Sequence, residues 1–173
     1  MSGDIKIIAD RLKPHMEKLD TYFQNKNSDF RALMETNHDE LGRVLKCHLV
    51  IEHYLTTYLS NHYGIDDIDQ IRLSFAQKVK LLPDKGSAVS YVKKGIERVN
   101  KIRNRFGHEL DAKICNGEIN ELDDVLKIMR PEVCSETPIN RIENFTAIAC
   151  TFLNVAPKEI EEIFSQAFKN VQV

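Results

Sequence analysis

No stretch of this chain alternates apolar and polar residues with period two, none repeats, and none is of low complexity. The half-buried strands of a sandwich or barrel leave that alternation behind, so its lack argues against a β fold. No apolar run approaches the length needed to cross a bilayer, and no signal peptide opens the chain. The four cysteines, Cys47, Cys115, Cys134 and Cys150, show no close pairing. Cys47 and Cys150 fall within helical apolar patterns, where a free thiol behaves as a small hydrophobe. A reducing, cytoplasmic setting is therefore expected, with no disulfide framework. Six histidines are present, yet His48 and His53 stand five apart and no cysteine–histidine cluster has ligand spacing, so neither a metal nor another cofactor is expected. Large charge of one sign is also lacking. A net charge of −2 gives no global electrostatic case for nucleic acid, so any RNA contact has to come from a local cluster.

What the chain does contain is helical periodicity. At 173 residues, 42% hydrophobic and 29% charged, it suits one globular domain with a proper core. The expected fold class is all-α, a bundle of about five to seven helices. A first helix is read over residues 4–24, kinked near Pro14 and broken by the Asn25–Lys26–Asn27–Ser28 cluster. Asn37 with Glu40 three residues on resembles a capping box, opening a long helix that ends near Tyr63 and Gly64. Its buried face is marked by Leu41, Val44, Leu45, Ile51, Leu55, Tyr58 and Leu59, and His48, Glu52 and His62 fall on the same side. A third helix is expected over residues 66–82, then a turn at Pro83–Asp84–Lys85–Gly86. Ser87 is placed to cap the next helix, in which Gly95 offers room for a close helix approach such as a subunit contact. A short helix over 118–129 stops at Pro131. Thr137–Pro138 starts a helix with Ile139, Ile142, Phe145, Ala149, Phe152 and Leu153 on its apolar face, and Pro157 starts the last.

The run Val99–Asn100–Lys101–Ile102–Arg103–Asn104–Arg105–Phe106–Gly107–His108 organises the functional reading. Val89, Val92, Ile96, Val99 and Phe106 trace one helical face. Arg103, four after Val99 and three before Phe106, is expected to be covered among them. A guanidinium keeps its charge, and burying it unpaired costs several kcal/mol. Something must face it, and Glu52, a carboxylate in its own apolar stripe, is the expected partner. A chain turning at Gly107 would bring His108 back toward Arg103. Lys93, Lys94, Arg98, Lys101 and Arg105 add a basic cluster opposed by Glu97. The plainer alternatives are an interface or snorkelling arginine, a capping histidine and a solvated basic face.

Arg103, Asn104 and His108 form an arginine, a polar residue directly after it, and a histidine after four intervening residues, near a helix end. This resembles the signature of the HEPN superfamily (higher eukaryotes and prokaryotes nucleotide-binding domains). The upstream run Leu73–Ser74–Phe75–Ala76–Gln77–Lys78–Val79–Lys80–Leu81, preceded by a long helix containing Ile51–Glu52–His53–Tyr54–Leu55, is similar to the mannitol-repressor-like branch. Gly107 stands where relatives often carry Ala. The resemblance covers residues 38–128 as a HEPN-like core. Residues 1–37 would then be an N-terminal helical arm and 137–173 a C-terminal helical pair of the same single domain.

The resemblance implies a metal-independent endoribonuclease, with Arg103, Asn104 and His108 catalytic, Glu52 supporting, and Lys101 and Arg105 binding RNA. It also implies a homodimer with both motifs facing one cleft. A toxin or defence role would add an antitoxin partner. The mannitol-repressor-like likeness carries the other implication, a non-catalytic regulatory or protein-interaction module.

Overall fold

The computed structural model describes residues 2–34, 38–154, 162–163 and 166–167. Among them are seven α-helices and four short 3-10 turns, with no strand. The protein is an all-α helical bundle, and no helix among the described residues is long and apolar enough to cross a membrane. The chain divides into two compact units, residues 1–37 and 38–173.

In the first unit, α1 (Ser2–Leu12) and α2 (Met16–Met34) are joined by a 3-10 turn at Lys13–His15, with Pro14 near its start. The proline interrupts the helix where expected. The Asn25–Ser28 cluster does not, and α2 runs nine residues past 25. Ser28 Oγ donates to the Asn25 carbonyl at 2.8 Å, so the hydroxyl is satisfied within the helix instead of competing with it. Ile5, Ile8, Leu12, Met16, Phe23 and Phe30 are exposed, and this unit has no closed core of its own among the described residues.

The second unit holds the core. α3 (His38–Tyr63) packs mainly on α7 (Pro138–Leu153) and on α5 (Ala88–Phe106), while α6 (Asn120–Met129) packs on both α5 and α7. Val44, Ile51, Leu55, Leu59, Val92, Ile96, Val99, Leu122, Leu126, Ile142 and Phe145 are buried between them. α3 ends at Gly64, which takes a left-handed φ of 65°. The capping position Asn37 lies outside the described residues.

The expected third helix over 66–82 is broken in two. A 3-10 turn at Ile68–Ile71 is followed by Arg72 at φ 53° and only then by α4 (Phe75–Lys80). The break has a local cause. Ser74 Oγ accepts from Gln77 N while the Gln77 carboxamide accepts from Ser74 N, a reciprocal box that starts a new helix there. Ser87 and Ser90 make the equivalent start of α5. The helix expected over 118–129 begins instead with a 3-10 turn at Asn116–Glu118, then α6.

Gly95 serves the interior of one chain. A Cβ there would overlap the tip of the Phe145 ring, so the missing side chain lets α5 and α7 close on each other. The close helix approach expected at Gly95 is made within one chain. α7 follows its expected face, with Ile139, Ile142, Phe145, Ala149, Phe152 and Leu153 all buried. Of the helix expected from Pro157, only 162–163 and 166–167 are described, as helical and exposed.

Candidate functional site

The last turns of α5 carry the three motif residues, and their burial differs from expectation. Ile102 and Phe106 are buried, anchoring this end of the helix, whereas Arg103, Asn104 and His108 are exposed. Arg103 therefore keeps the bearing of the apolar stripe but is left uncovered on the last turn of the helix. It stands about 40° round the helix from Val99 and about 60° from Phe106, so its exposure reflects the lack of a neighbour over this turn among the described residues and not its position around the helix. Its Nη1 donates to Asn104 Oδ1 at 3.2 Å. That bond holds the guanidinium beside the carboxamide on the exposed surface.

Gly107 ends α5 but makes no sharp reversal. Its φ of −77° and ψ of −12° continue the helical sense, and its N–H reaches the Arg103 and Asn104 carbonyls, both at 3.1 Å. His108 N–H then donates to the Arg105 carbonyl at 3.0 Å. No hydrogen bond joins the His108 ring to Arg103 among the described residues. The turn expected to fold one onto the other is absent because the glycine stays right-handed. Both groups remain open to a ligand on the surface.

Glu52 does not reach Arg103. Lys78 of α4, itself buried, donates to Glu52 Oε1 at 3.3 Å and to Thr56 Oγ1 at 2.9 Å. The covered charge that Glu52 answers is thus an ammonium from α4. The buried guanidinium belongs to Arg141 on α7, whose Nη1 donates to both Asp123 oxygens at 3.0 and 2.8 Å and whose Nη2 donates to Asn116 Oδ1. Sequence held a signal for it, since Arg141 stands between Ile139 and Ile142 in an apolar stripe. The test applied to Arg103 applies to Arg141 with greater force.

The basic cluster separates into paired and open members. Lys93 donates to Asp84 at 2.6 Å and to the Leu82 carbonyl, and Arg98 pairs with Glu121. Arg105, expected to bind RNA, is held by Glu118 at 2.9 Å and by the Lys113 carbonyl at 2.6 Å, tying the end of α5 to the following loop. Lys94, Lys101 and Arg103 are exposed and form no salt bridge among the described residues. Lys101 and Arg103 are accordingly the cations left for an anion at this end of the helix.

Beneath the motif lies a residue that was placed on the buried face of α3 without a role. His48 is only 6% exposed, stacks on Phe75 with ring centroids 4.1 Å apart, and has its Nε2 at 3.0 Å from Asn100 Oδ1. Burial pushes its pKa below the ordinary histidine value, the nearby Arg103 charge pushes the same way, and Asn100 and Glu52 oppose them. On the same side of α3, Leu45 and Leu49 flank His48, and both are exposed, as is Leu41 a turn earlier. Leu41 and Leu45 were expected inside. They share a side with Glu52 at helical spacing, which α4 covers farther along and nothing among the described residues covers here. His62, also placed on the buried face, is exposed.

A separate cavity of about 430 Å³ opens between α3 and α7, lined by Cys47, Val50, Ala147, Cys150 and the Arg43–Glu143 pair. It gathers none of the motif residues. Burial raises both thiols, that of Cys150 to about 11. No group of three or more histidine, cysteine or acidic side chains able to hold a metal occurs among the described residues. No family model, curated protein or solved structure matches this chain.

Proposed function

We propose that the protein is a metal-independent endoribonuclease of HEPN type, working as a homodimer in which the ends of two α5 helices face one cleft. The observation that carries this is the exposure of Arg103, Asn104 and His108 together on a rigid helix end, with Ile102 and Phe106 buried beneath them. A guanidinium committed to packing would be covered and paired, as Arg141 is; Arg103 is free to meet a phosphate. The leucines Leu41, Leu45 and Leu49 support the second copy, since an exposed stripe of three leucines along one helix invites an apolar partner. A symmetric contact there presents each motif twice.

The chemistry needs few parts. The RNA 2′-hydroxyl attacks its own adjacent phosphorus while His108 of one protomer takes the hydroxyl proton. The bond to the 5′-oxygen breaks, and His108 of the second protomer returns a proton to it. Arg103 holds the phosphate and stabilises the charge that gathers on its oxygens. Asn104, already bonded to Arg103, keeps the guanidinium in position. Products are a 2′,3′-cyclic phosphate and a 5′-hydroxyl. Lys101 contributes charge to the backbone on either side.

His108→Ala is expected to lower cleavage of single-stranded RNA by 10²-fold or more with an unchanged circular dichroism spectrum, because the side chain is exposed. Undiminished cleavage would overturn the assignment. The leucine stripe also suits the alternative, a regulatory module that pairs through α3 without cutting anything. In that case dimerisation survives and wild-type protein leaves RNA intact.

A further inference from the structure

His48 is a costly choice for its position. An apolar ring would stack on Phe75 without a polar edge, yet the chain places an imidazole there. Its Nδ1 has no hydrogen-bond partner among the described residues. A buried polar atom left bare calls for a reason, and the bond made by the opposite edge of the ring supplies one. An amide oxygen only accepts, so Nε2 carries the proton and donates to Asn100 Oδ1 at 3.0 Å. The stacking on Phe75 and the 6% exposure keep the ring from swinging away.

Asn100 stands three residues before Arg103 and four before Asn104, so the three share one face of α5. With its oxygen held by His48, the plane of the Asn100 carboxamide is set and its Nδ2 is left with two protons to give. Asn100 is half-buried, and no hydrogen bond from Nδ2 occurs among the described residues. A neutral donor of fixed direction, one turn along from an exposed guanidinium, suits a second oxygen of a phosphodiester chain.

We propose that Asn100 is a further RNA-contacting residue of this site, binding the backbone next to the phosphate held by Arg103, and that His48 is the positioning residue that aims it. The inference rests on the RNA-binding part of the proposed function and not on cleavage. The contact lengthens the site along α5 from its end toward its middle. It also selects an extended single strand, because successive phosphates must follow the helix.

The test uses the full chain labelled with ¹⁵N and a short single-stranded oligonucleotide carrying 2′-O-methyl groups, which can be bound but offers no 2′-hydroxyl to attack. Asn100 side-chain amide signals are expected to shift on addition. Asn100→Asp keeps an acceptor for His48 and removes the donors, and is expected to weaken binding by about tenfold or more. His48→Phe fills the space on Phe75 without a donor and is expected to weaken binding severalfold. His48→Gln, which offers an N–H at a similar reach, is expected to restore much of it. Thermal midpoints are recorded for each variant, and Asn100→Asp carries the test if His48→Phe does not fold.

Amide signals that stay fixed while the oligonucleotide binds, or equal binding by Asn100→Asp, would overturn the inference. Cleavage of unmodified RNA is followed in parallel. Binding through Asn100 without cleavage removes the catalytic reading and leaves this contact standing. Binding and cleavage without Asn100 do the reverse, and no binding at all overturns both.

Discussion

Arg103 and Arg141 carry the same charge to opposite ends. Arg141 is 7% exposed and grips both oxygens of Asp123, which is itself well covered. Removing one partner leaves a buried charge uncompensated, so Asp123→Ala is expected to cost about 3–5 kcal/mol in urea unfolding. Arg103→Ala, on the surface, is expected to leave stability within about 0.5 kcal/mol while weakening the proposed binding of RNA. Equal losses in the two variants would refute this division of labour. His48 gives a pH dependence whose sign is set by its depressed pKa. The unfolded chain binds the proton at higher pH than the folded one, so stability is whole above the ordinary histidine value near 6.5 and falls as pH drops below it. Burial against Phe75 and the Arg103 charge set this direction against the opposing pull of Asn100 and Glu52, with Lys78 engaging the same Glu52. His48→Gln is expected to flatten the slope of unfolding free energy below about pH 6.5. The thiols follow the same logic of burial. Cys115 is exposed and is expected to react with a thiol reagent well before Cys47 and Cys150, whose ionisation burial suppresses. Comparable rates at all of them would show the α3–α7 interface to be open.

At the scale of elements, spacing and punctuation carried far. The apolar face of α7, the cap at Ser87 and the turns at Gly64 and Gly86 are all legible in the order of residues. α4 was not, because an apolar pattern over Ile68–Leu82 says helix throughout and cannot show that Ser74 and Gln77 restart it. Arg103 illustrates a second limit. Periodicity places a residue on one side of the helix, and a residue on the apolar side is buried or exposed according to whether a neighbouring helix reaches that turn, which is a tertiary fact. Leu41 and Leu45, also expected inside and found exposed, fail in the same direction for the same reason. Pairing is harder still. Glu52 stands out in the sequence as a carboxylate needing a cation, but Lys78 does not stand out as its partner, because it lies on an element whose position sequence does not give. Gly95 provides the clearest test of packing at this scale. Alanine there gains about 1 kcal/mol of helix propensity but meets the fully buried Phe145 ring, and overpacking costs about 1–3 kcal/mol. Gly95→Ala is expected to be destabilising on balance in thermal unfolding. A stabilised variant would mean that α5 and α7 are not closely apposed at this point.

For the whole molecule, the unexplained surface is the leucine side of α3 near the motif. If two copies meet there, a charge on that side should separate them. Leu45→Glu is expected to convert the protein to a monomer in sedimentation velocity with its helical content retained. A monomeric wild type would contradict the pairing, as would a dimer indifferent to the substitution. The monomer should also lose cleavage, since one motif alone supplies one histidine where two protons must move. In the proposed chemistry the RNA 2′-hydroxyl is the nucleophile, and that role can be read directly from the products. Wild-type protein should be incubated, in excess chelator, with an end-labelled single-stranded RNA and with the same strand carrying 2′-deoxy nucleotides throughout. Cleavage of the first alone, leaving 2′,3′-cyclic phosphate and 5′-hydroxyl ends, is the expected result; cleavage of both, or products with a 5′-phosphate, would contradict the mechanism assigned to Arg103 and His108.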